Sequence, residues 1–85
     1  MSYQVKIIAR AEKDLDAVSG RDLDMIKKKI LALSENPRPF GCKKLTADEG
    51  YRIRSGDFRV LYRINDHTKE VLIYRVKHRK EVYRG

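Results

Sequence analysis

The chain has 85 residues, 38% of them charged, and a formal net charge of +8, which is enough for one domain with one modest core. Its single cysteine, Cys42, excludes an internal disulfide framework, and no membrane-spanning segment or secretory signal is apparent, so a soluble cytoplasmic protein is expected. Residues 37–85 contain thirteen Lys/Arg against six Asp/Glu, which favours nucleic acid or an acidic protein over a neutral metabolite or a membrane as partner.

The N-terminal part of the chain predicts one strand followed by two helices. Apolar residues alternate with polar ones over 3–8, and they recur at helical spacing over 9–18 and 21–35. Gly20 is expected to end the first helix, and Ser19 with Asp22 forms an S-x-x-D capping pattern for the second. The result is a helical hairpin with almost no loop.

A proline-containing loop is predicted after the second helix. The residue before each proline is pushed out of helical geometry, so Asn36-Pro37-Arg38-Pro39 ends the helix. Polar residues and glycine then predict a surface loop that runs to about Glu49.

The segment after this loop predicts a tight hairpin. Two alternating stretches, 51–55 and 58–65, flank Gly56-Asp57, which suits a two-residue II′ turn. This turn sets the register, so that Arg54 lies directly opposite Arg59. One hairpin face then carries the apolar residues Tyr51, Ile53, Val60 and Tyr62. The other face is cationic, although like charges directly opposite each other destabilise a sheet by roughly a few tenths to one kcal/mol relative to a neutral pair.

A third strand is predicted over the apolar run 71–76, in which Arg75, Lys77 and Arg79 share a parity that extends the cationic face. The element order is βααβββ. We therefore expect a single α+β domain over 1–85, in which a two-helix hairpin covers one side of a small, mainly antiparallel sheet. The arginine side stays open to solvent.

The chemistry that this inventory favours is phosphate binding. The sequence has no zinc-type Cys/His spacing, phosphate-binding glycine loop or G-x-S-x-G motif, so no metal or cofactor is expected. Guanidinium groups offer planar forks of donors to phosphate. An RNA substrate can supply its own nucleophile, the 2′-OH, and then needs positioning, charge stabilisation and proton transfer. A simpler interpretation is a solvated sheet face with scattered acidic partners.

Three segments together carry a resemblance to the RelE/ParE superfamily of bacterial toxins: Tyr51-Arg52-Ile53-Arg54, Phe58-Arg59-Val60-Leu61-Tyr62-Arg63 and Arg75-Val76-Lys77-His78-Arg79-Lys80-Glu81-Val82-Tyr83. The last segment is most similar to the RelE branch. That resemblance implies a metal-independent endoribonuclease that cleaves mRNA in the A site of the 70S ribosome and leaves 2′,3′-cyclic phosphate and 5′-hydroxyl ends. It also implies neutralisation by a RelB-like antitoxin, for which an acidic amphipathic helix is expected.

The resemblance also implies roles for individual residues. Arg59 and Arg79 match the phosphate-contacting arginines of the family, and Tyr83 matches its C-terminal tyrosine. Our hypothesis is that Arg54, Arg59 and Arg79 hold the phosphate, while Tyr83 or His78 handles protons. Further RNA contacts are expected from Arg52, Arg63, Arg75, Lys77 and Lys80. Positions 52 and 54 are arginine, where RelE enzymes often have lysine. Because arginine is a poor proton acceptor, the sequence does not identify the general base.

Two other functions fit the same sequence. A ParE-like toxin shares the fold but inhibits DNA gyrase by binding, without nuclease chemistry. A non-catalytic RNA-binding or ribosome-binding module would use the cationic face for backbone contacts alone.

Overall fold

The computed structural model describes residues 2–45 and 50–79 of the chain. It confirms the predicted α+β class, in which two helices pack on a mostly antiparallel sheet. The elements in chain order are β1 (Gln4–Ile7), α1 (Ala9–Asp16), α2 (Gly20–Glu35), β2 (Lys43–Lys44), β3 (Tyr51–Ser55), β4 (Phe58–Asn65) and β5 (Glu70–His78). Neither of the two described helices combines the length and apolar character needed to cross a bilayer.

The five strands form one sheet in the order β1-β5-β4-β3-β2. The first strand runs parallel to β5, and the other pairs are antiparallel. The short strand β2 lies within the predicted surface loop, so that prediction was incomplete. Lys43 pairs with Arg52, and Lys44 pairs with Tyr51.

The register of the β3–β4 hairpin is the predicted one. Ser55 lies opposite Phe58, Arg54 opposite Arg59, and the pairing continues outward to Tyr51 and Tyr62. Gly56 adopts φ +59°, which glycine permits without steric cost at the first turn position.

A register irregularity between β4 and β5 was not predicted. Leu61 pairs with Arg75, but the next residue, Tyr62, pairs with Ile73. Tyr74 is therefore the extra residue of a β-bulge, which changes the side-chain alternation along β5. As a result, Ile73 and Val76 are both buried although three positions separate them.

The junction between the helices also differs from the prediction. Helix α1 ends at Asp16, and Gly20, with φ +63°, begins α2 instead of ending α1. Ser19 occupies the N-cap position of α2, but its side chain forms no capping hydrogen bond. The S-x-x-D capping pattern is thus not realised in this structure.

The core lies between the helices and one sheet face. Its largest fully buried side chains are those of Tyr62, Ile26, Leu33, Ile73, Val60 and Val71. The Tyr62 hydroxyl donates a hydrogen bond to the carbonyl oxygen of Pro37 at 2.8 Å, which satisfies its polar end and fixes the chain after α2. Burial raises the pKa of Tyr62.

Asp14 joins α1 to the C-terminal part of β5. Its Oδ2 atom accepts hydrogen bonds from Arg75 Nε and from the Val76 amide, each at 2.9 Å. Burial acts to raise the pKa of Asp14, but these hydrogen bonds and the Arg75 charge more than offset burial and lower the pKa below its ordinary value. The carboxylate therefore stabilises the fold most in its charged form.

Replacing Asp14 by Ala is expected to reduce the free energy of unfolding at pH 7 by about 1–3 kcal/mol, because it leaves a buried amide and a guanidinium without their acceptor. A lowered carboxyl pKa contributes stability above the unfolded-state value of 3.8, and this contribution disappears as the pH falls below it. The difference between wild type and variant should therefore shrink below pH 4 in urea titrations. Asp16→Ala, on the exposed side of the same helix, is the matched control. A difference that persists unchanged at low pH would contradict this account.

Candidate functional site

The sheet face opposite the helices carries a row of cations across three neighbouring strands. Arg59 on β4 lies between Arg54 on β3 and Lys77 on β5, directly opposite each of them. A second pair adjoins this row, because Lys43 on β2 lies opposite Arg52 on β3. Residues in opposition project from the same face. We call these five residues, Lys43, Arg52, Arg54, Arg59 and Lys77, the cation cluster.

Four members of the cation cluster surround one cavity. The cavity has a volume of about 150 Å³ and is lined by Lys43, Arg52, Arg54, Arg59 and the glycine at position 41. Every side chain in its wall is therefore cationic. A cavity with this lining can accommodate an anion, and arginine forks suit phosphate oxygens.

Local structure holds the arginines of β3 and β4 in place. The Arg54 Nε atom donates to the Gly56 carbonyl oxygen at 3.3 Å, which turns this side chain toward the hairpin tip. The alternate residues Ile53 and Val60 are buried beneath the cluster. Burial of these apolar neighbours fixes which face each arginine uses, since a one-residue slip would reverse both faces.

The structure brings together part of the predicted site. Arg54 and Arg59 lie opposite each other, as the hairpin register predicted, and Arg52 lines the same cavity. Lys77, predicted as an RNA contact, lies opposite Arg59. These four residues form most of the cation cluster.

Arg79 lies at the hairpin tip, outside the residues that line the cavity. Its backbone N–H donates to the Asp57 carbonyl oxygen at 2.7 Å, and its Nη1 atom is 3.7 Å from Asp57 Oδ1. Both side chains of this ion pair are more than half exposed. Arg79 therefore lies at the end of the cationic face and is available to solvent.

Two other predicted RNA contacts have structural partners. The Arg63 guanidinium lies over the Tyr74 ring, with Cζ 5.0 Å from the ring centroid. Arg75 forms the partly buried ion pair with Asp14, which directs its guanidinium toward α1. The structure therefore does not bring Arg75 into the cation cluster.

His78 lies apart from the arginines that were expected to share its site. It pairs with Phe58, and the two rings meet edge to face with centroids 5.0 Å apart. Alternation along β5 places His78 on the helix side, where it lines a groove with Arg10 and Asp14. The other predicted proton-handling residue, Tyr83, and the predicted RNA contact Lys80 lie outside the described residues.

Lys43 is the member of the cluster that sequence reasoning missed. It follows Gly41 in a loop without hydrophobic alternation, so nothing local indicates a strand. Its place depends on pairing with Arg52, nine positions later. The one sequence feature that could have indicated a role for Lys43 is the adjacent pair Lys43-Lys44, but two lysines are equally typical of a solvated loop.

A second polar cluster lies near the helix side. Arg38 donates to both carboxylate oxygens of Asp66, at 3.3 and 3.0 Å, and to the Tyr51 hydroxyl at 3.2 Å. Tyr3 donates to Asp66 at 2.6 Å. The hydrogen bonds from Arg38 and Tyr3 lower the pKa of Asp66 to about 2. Each charged group here has a partner, so the cluster ties the loop after α2 to the β4–β5 turn.

Comparison with known proteins identifies the family of the chain. Residues 5–83 match the family described as ParE toxin of the type II toxin-antitoxin system parDE. The chain is 34% identical over 87 residues to toxin RelG of Mycobacterium tuberculosis, with 99% of each chain covered.

Two solved toxin–antitoxin complexes contain a chain of similar fold. One is the RelBE2 complex of Mycobacterium tuberculosis, at a TM-score of 0.82 and 31% identity, with 92% of this chain and 99% of that chain covered. The other is the archaeal RelE-RelB complex of Pyrococcus horikoshii, at 0.82 and 33%, with 93% and 97% covered. The chain therefore belongs to the RelE/ParE superfamily and is a RelE-like toxin of a type II toxin–antitoxin system.

Proposed function

We propose that this toxin is a metal-independent endoribonuclease that cleaves mRNA in the ribosomal A site and so inhibits translation. The observation that carries the proposal is the cavity walled by Lys43, Arg52, Arg54 and Arg59 on an open sheet face. Folding gains nothing from placing Arg54 directly opposite Arg59. A polyanionic substrate compensates for this repulsion.

The proposed reaction uses the RNA 2′-OH as nucleophile. The 2′-oxygen forms a bond to the adjacent phosphorus while the bond from phosphorus to the 5′-oxygen breaks, giving a 2′,3′-cyclic phosphate and a 5′-hydroxyl. Negative charge builds up on the non-bridging oxygens as the reaction proceeds. Arg54 and Arg59, which lie opposite each other on neighbouring strands, would stabilise that charge. Arg52 holds the RNA backbone beside them.

Proton transfer is assigned to lysine in this proposal. The 2′-OH must lose a proton and the 5′-oxygen must gain one. Arginine does not release its proton in proteins, whereas a lysine amine can accept one and an ammonium can donate one. Lys43 and Lys77 lie on opposite sides of the arginines, on β2 and β5. We assign acceptance from the 2′-OH to Lys43 and donation to the leaving oxygen to Lys77.

Ribosome dependence is part of the proposal because of what the cavity lining lacks. The cavity offers cations for a phosphate, but its wall of four cationic side chains and one glycine provides little to hold the sugar in line for attack. In-line geometry accounts for much of the rate of such reactions. The ribosomal A site, which already fixes the mRNA codon, would supply that geometry.

A RelB-like antitoxin is the expected partner of the free toxin. The two similar structures are each complexes with an antitoxin. Residues 37–85 carry an excess of seven positive charges, so acidic side chains on an amphipathic helix would complement this half of the chain. Such a partner would compete with RNA if it covers the cation cluster.

The nuclease proposal is tested by mapping RNA ends in a translating extract. Addition of the toxin should create new 5′-hydroxyl ends at codon-phased positions, detected by primer extension and by labelling with polynucleotide kinase without prior phosphatase treatment. The same mRNA without ribosomes should be cleaved far more slowly. Translation arrest without new ends would contradict the nuclease proposal and favour a non-catalytic ribosome-binding module.

A gyrase-directed activity is the second candidate, because the matching family is described as ParE toxin. In that case the cationic face would contact gyrase or its DNA without RNA chemistry. A supercoiling assay with purified gyrase separates the two activities. Inhibition there, with intact mRNA in the translating extract, would replace the proposed nuclease function.

A further inference from the structure

Phe40 is fully exposed on a constrained turn. Its relative accessibility is 105%, far above that of the other exposed large apolar residues, which are Ile8 at 37%, Met25 at 42% and Leu31 at 68%. The Cys42 amide donates to the Pro39 carbonyl oxygen at 3.1 Å, which closes a four-residue turn. Gly41 has φ +95° in the third position, as a type II turn requires.

The fold does not use the apolar surface of this ring. Phe40 belongs neither to the buried core nor to the partly buried residues packed against it. An apolar side chain gains free energy when it leaves water, so the described fold forgoes that gain at this position. A phenylalanine that is held out by a closed turn is available to a ligand without prior rearrangement.

Phe40 immediately precedes a residue that lines the cavity of the cation cluster. Gly41, the next residue, lines that cavity together with Arg54 and Arg59, and Lys43 follows two positions later. In a nucleotide the base and the phosphate are attached to one sugar. A ligand whose phosphate enters the cavity therefore brings a base close to the side chains at its rim.

We propose that Phe40 stacks on an unpaired nucleobase of the RNA whose phosphate occupies the cavity. The inference rests on the proposed function in taking RNA as the ligand of this surface. An aromatic face beside a cationic groove is the arrangement by which proteins bind single-stranded nucleic acid. Every base has a π-face, so this contact would add affinity without selecting one codon. The positive charges that line the cavity beside Gly41, among them Lys43 and Arg54, favour a polyanion over an apolar protein surface.

A fluorescence titration tests the stacking directly. The chain contains no tryptophan, so Phe40→Trp introduces a single indole at the turn. We expect its fluorescence to be quenched saturably by a short single-stranded RNA with 2′-O-methyl groups, which cannot be cleaved through the 2′-oxygen. An abasic oligonucleotide of equal length should leave the fluorescence unchanged. Equal quenching by both would overturn the inference.

A matched probe on another surface controls for non-specific quenching. Leu31→Trp places the indole on the exposed side of α2, on the opposite layer of the fold. We expect no quenching there by either oligonucleotide. Quenching as strong as that of Phe40→Trp would show that the RNA does not prefer the turn, and would overturn the inference.

Substitutions separate stacking from general hydrophobic contact. Phe40→Ala should weaken RNA binding roughly 10- to 100-fold, and Phe40→Tyr should bind like the wild type. Phe40→Leu, which is apolar but has no aromatic face, should resemble Phe40→Ala. If Phe40→Leu binds RNA as tightly as the wild type, or if Phe40→Ala loses binding to the antitoxin but not to RNA, Phe40 makes an apolar protein contact and the stacking proposal is overturned.

The outcomes also separate this inference from the nuclease proposal. If the oligonucleotide quenches Phe40→Trp in a base-dependent way but the wild-type toxin cleaves no mRNA on ribosomes, the stacking is supported and the nuclease proposal is contradicted. Cleavage that proceeds normally in Phe40→Ala, at subsaturating ribosome concentrations, would support the nuclease and contradict stacking.

Discussion

Replacing Arg59 by Ala is expected to reduce ribosome-dependent mRNA cleavage by at least about 100-fold while the protein remains folded. Arg59 lies between Arg54 and Lys77 in the row across the sheet and lines the cavity. Its removal takes away a donor for the charge that develops on the phosphate. The fold should persist, because repulsion with Arg54 is relieved. Initial rates from primer extension and a circular dichroism melt measure the two effects.

Two further variants test whether the lost cleavage activity of Arg59→Ala is specific to this position and to the guanidinium group. Arg21→Ala removes the same charge from an exposed position on α2 and should leave cleavage unchanged. Arg59→Lys keeps a charge but loses the planar fork, so we expect partial activity. Near-normal cleavage by Arg59→Ala in a folded protein would remove Arg59 from the site and place the chemistry elsewhere.

Replacing Lys43 by Ala is expected to reduce cleavage by about 10²- to 10⁴-fold, the usual range for loss of a positioned acid or base. The informative comparison is Lys43→Arg, which preserves the positive charge but cannot exchange its proton. If Lys43 accepts the 2′-OH proton, Lys43→Arg should be as inactive as Lys43→Ala. Single-turnover cleavage rates at saturating toxin provide the measurement.

Lys44 is the natural control for this experiment. It adjoins Lys43 in β2 but lies opposite Tyr51, so alternation directs it to the other face of the sheet. Lys44→Ala should retain cleavage close to that of the wild type. Activity recovered in Lys43→Arg would show that Lys43 acts through charge alone, and the proton acceptor would then have to be sought among other residues.

The hairpin shows how much of the site local chemistry can specify. Gly56-Asp57 fixes the turn, and a fixed turn determines every pair from Ser55–Phe58 outward. The opposition of Arg54 and Arg59 was therefore predictable from the sequence alone. The burial of Ile53 and Val60 on the other face follows from the same register.

Features that depend on distant pairing were not predictable in the same way. Strand β2 has two residues, and its charged side chains carry no alternation. It exists because β3 presents an unpaired edge to it. Lys43 entered the candidate site only through that edge pairing.

The C-terminal part of β5 also differs from the predicted site. Arg75 and Lys77 share a face as predicted, but Arg75 meets Asp14 on a helix that is 61 residues earlier in the chain. His78, which adjoins Lys77 in sequence, projects to the side opposite the arginines. Adjacency in sequence suggested one site, whereas strand alternation separates neighbouring residues onto two faces.

The position of β5 within the sheet has a consequence for the order in which the toxin is made. β1 emerges first from the ribosome, but its sheet partner is β5, the last strand of the described chain. A nascent chain synthesised only through β4 has β1 unpaired and lacks Lys77. Because this pairing joins distant segments, the sheet is completed only after β5 has been synthesised. The cation cluster is therefore assembled only after β5, which carries Lys77, has left the ribosome.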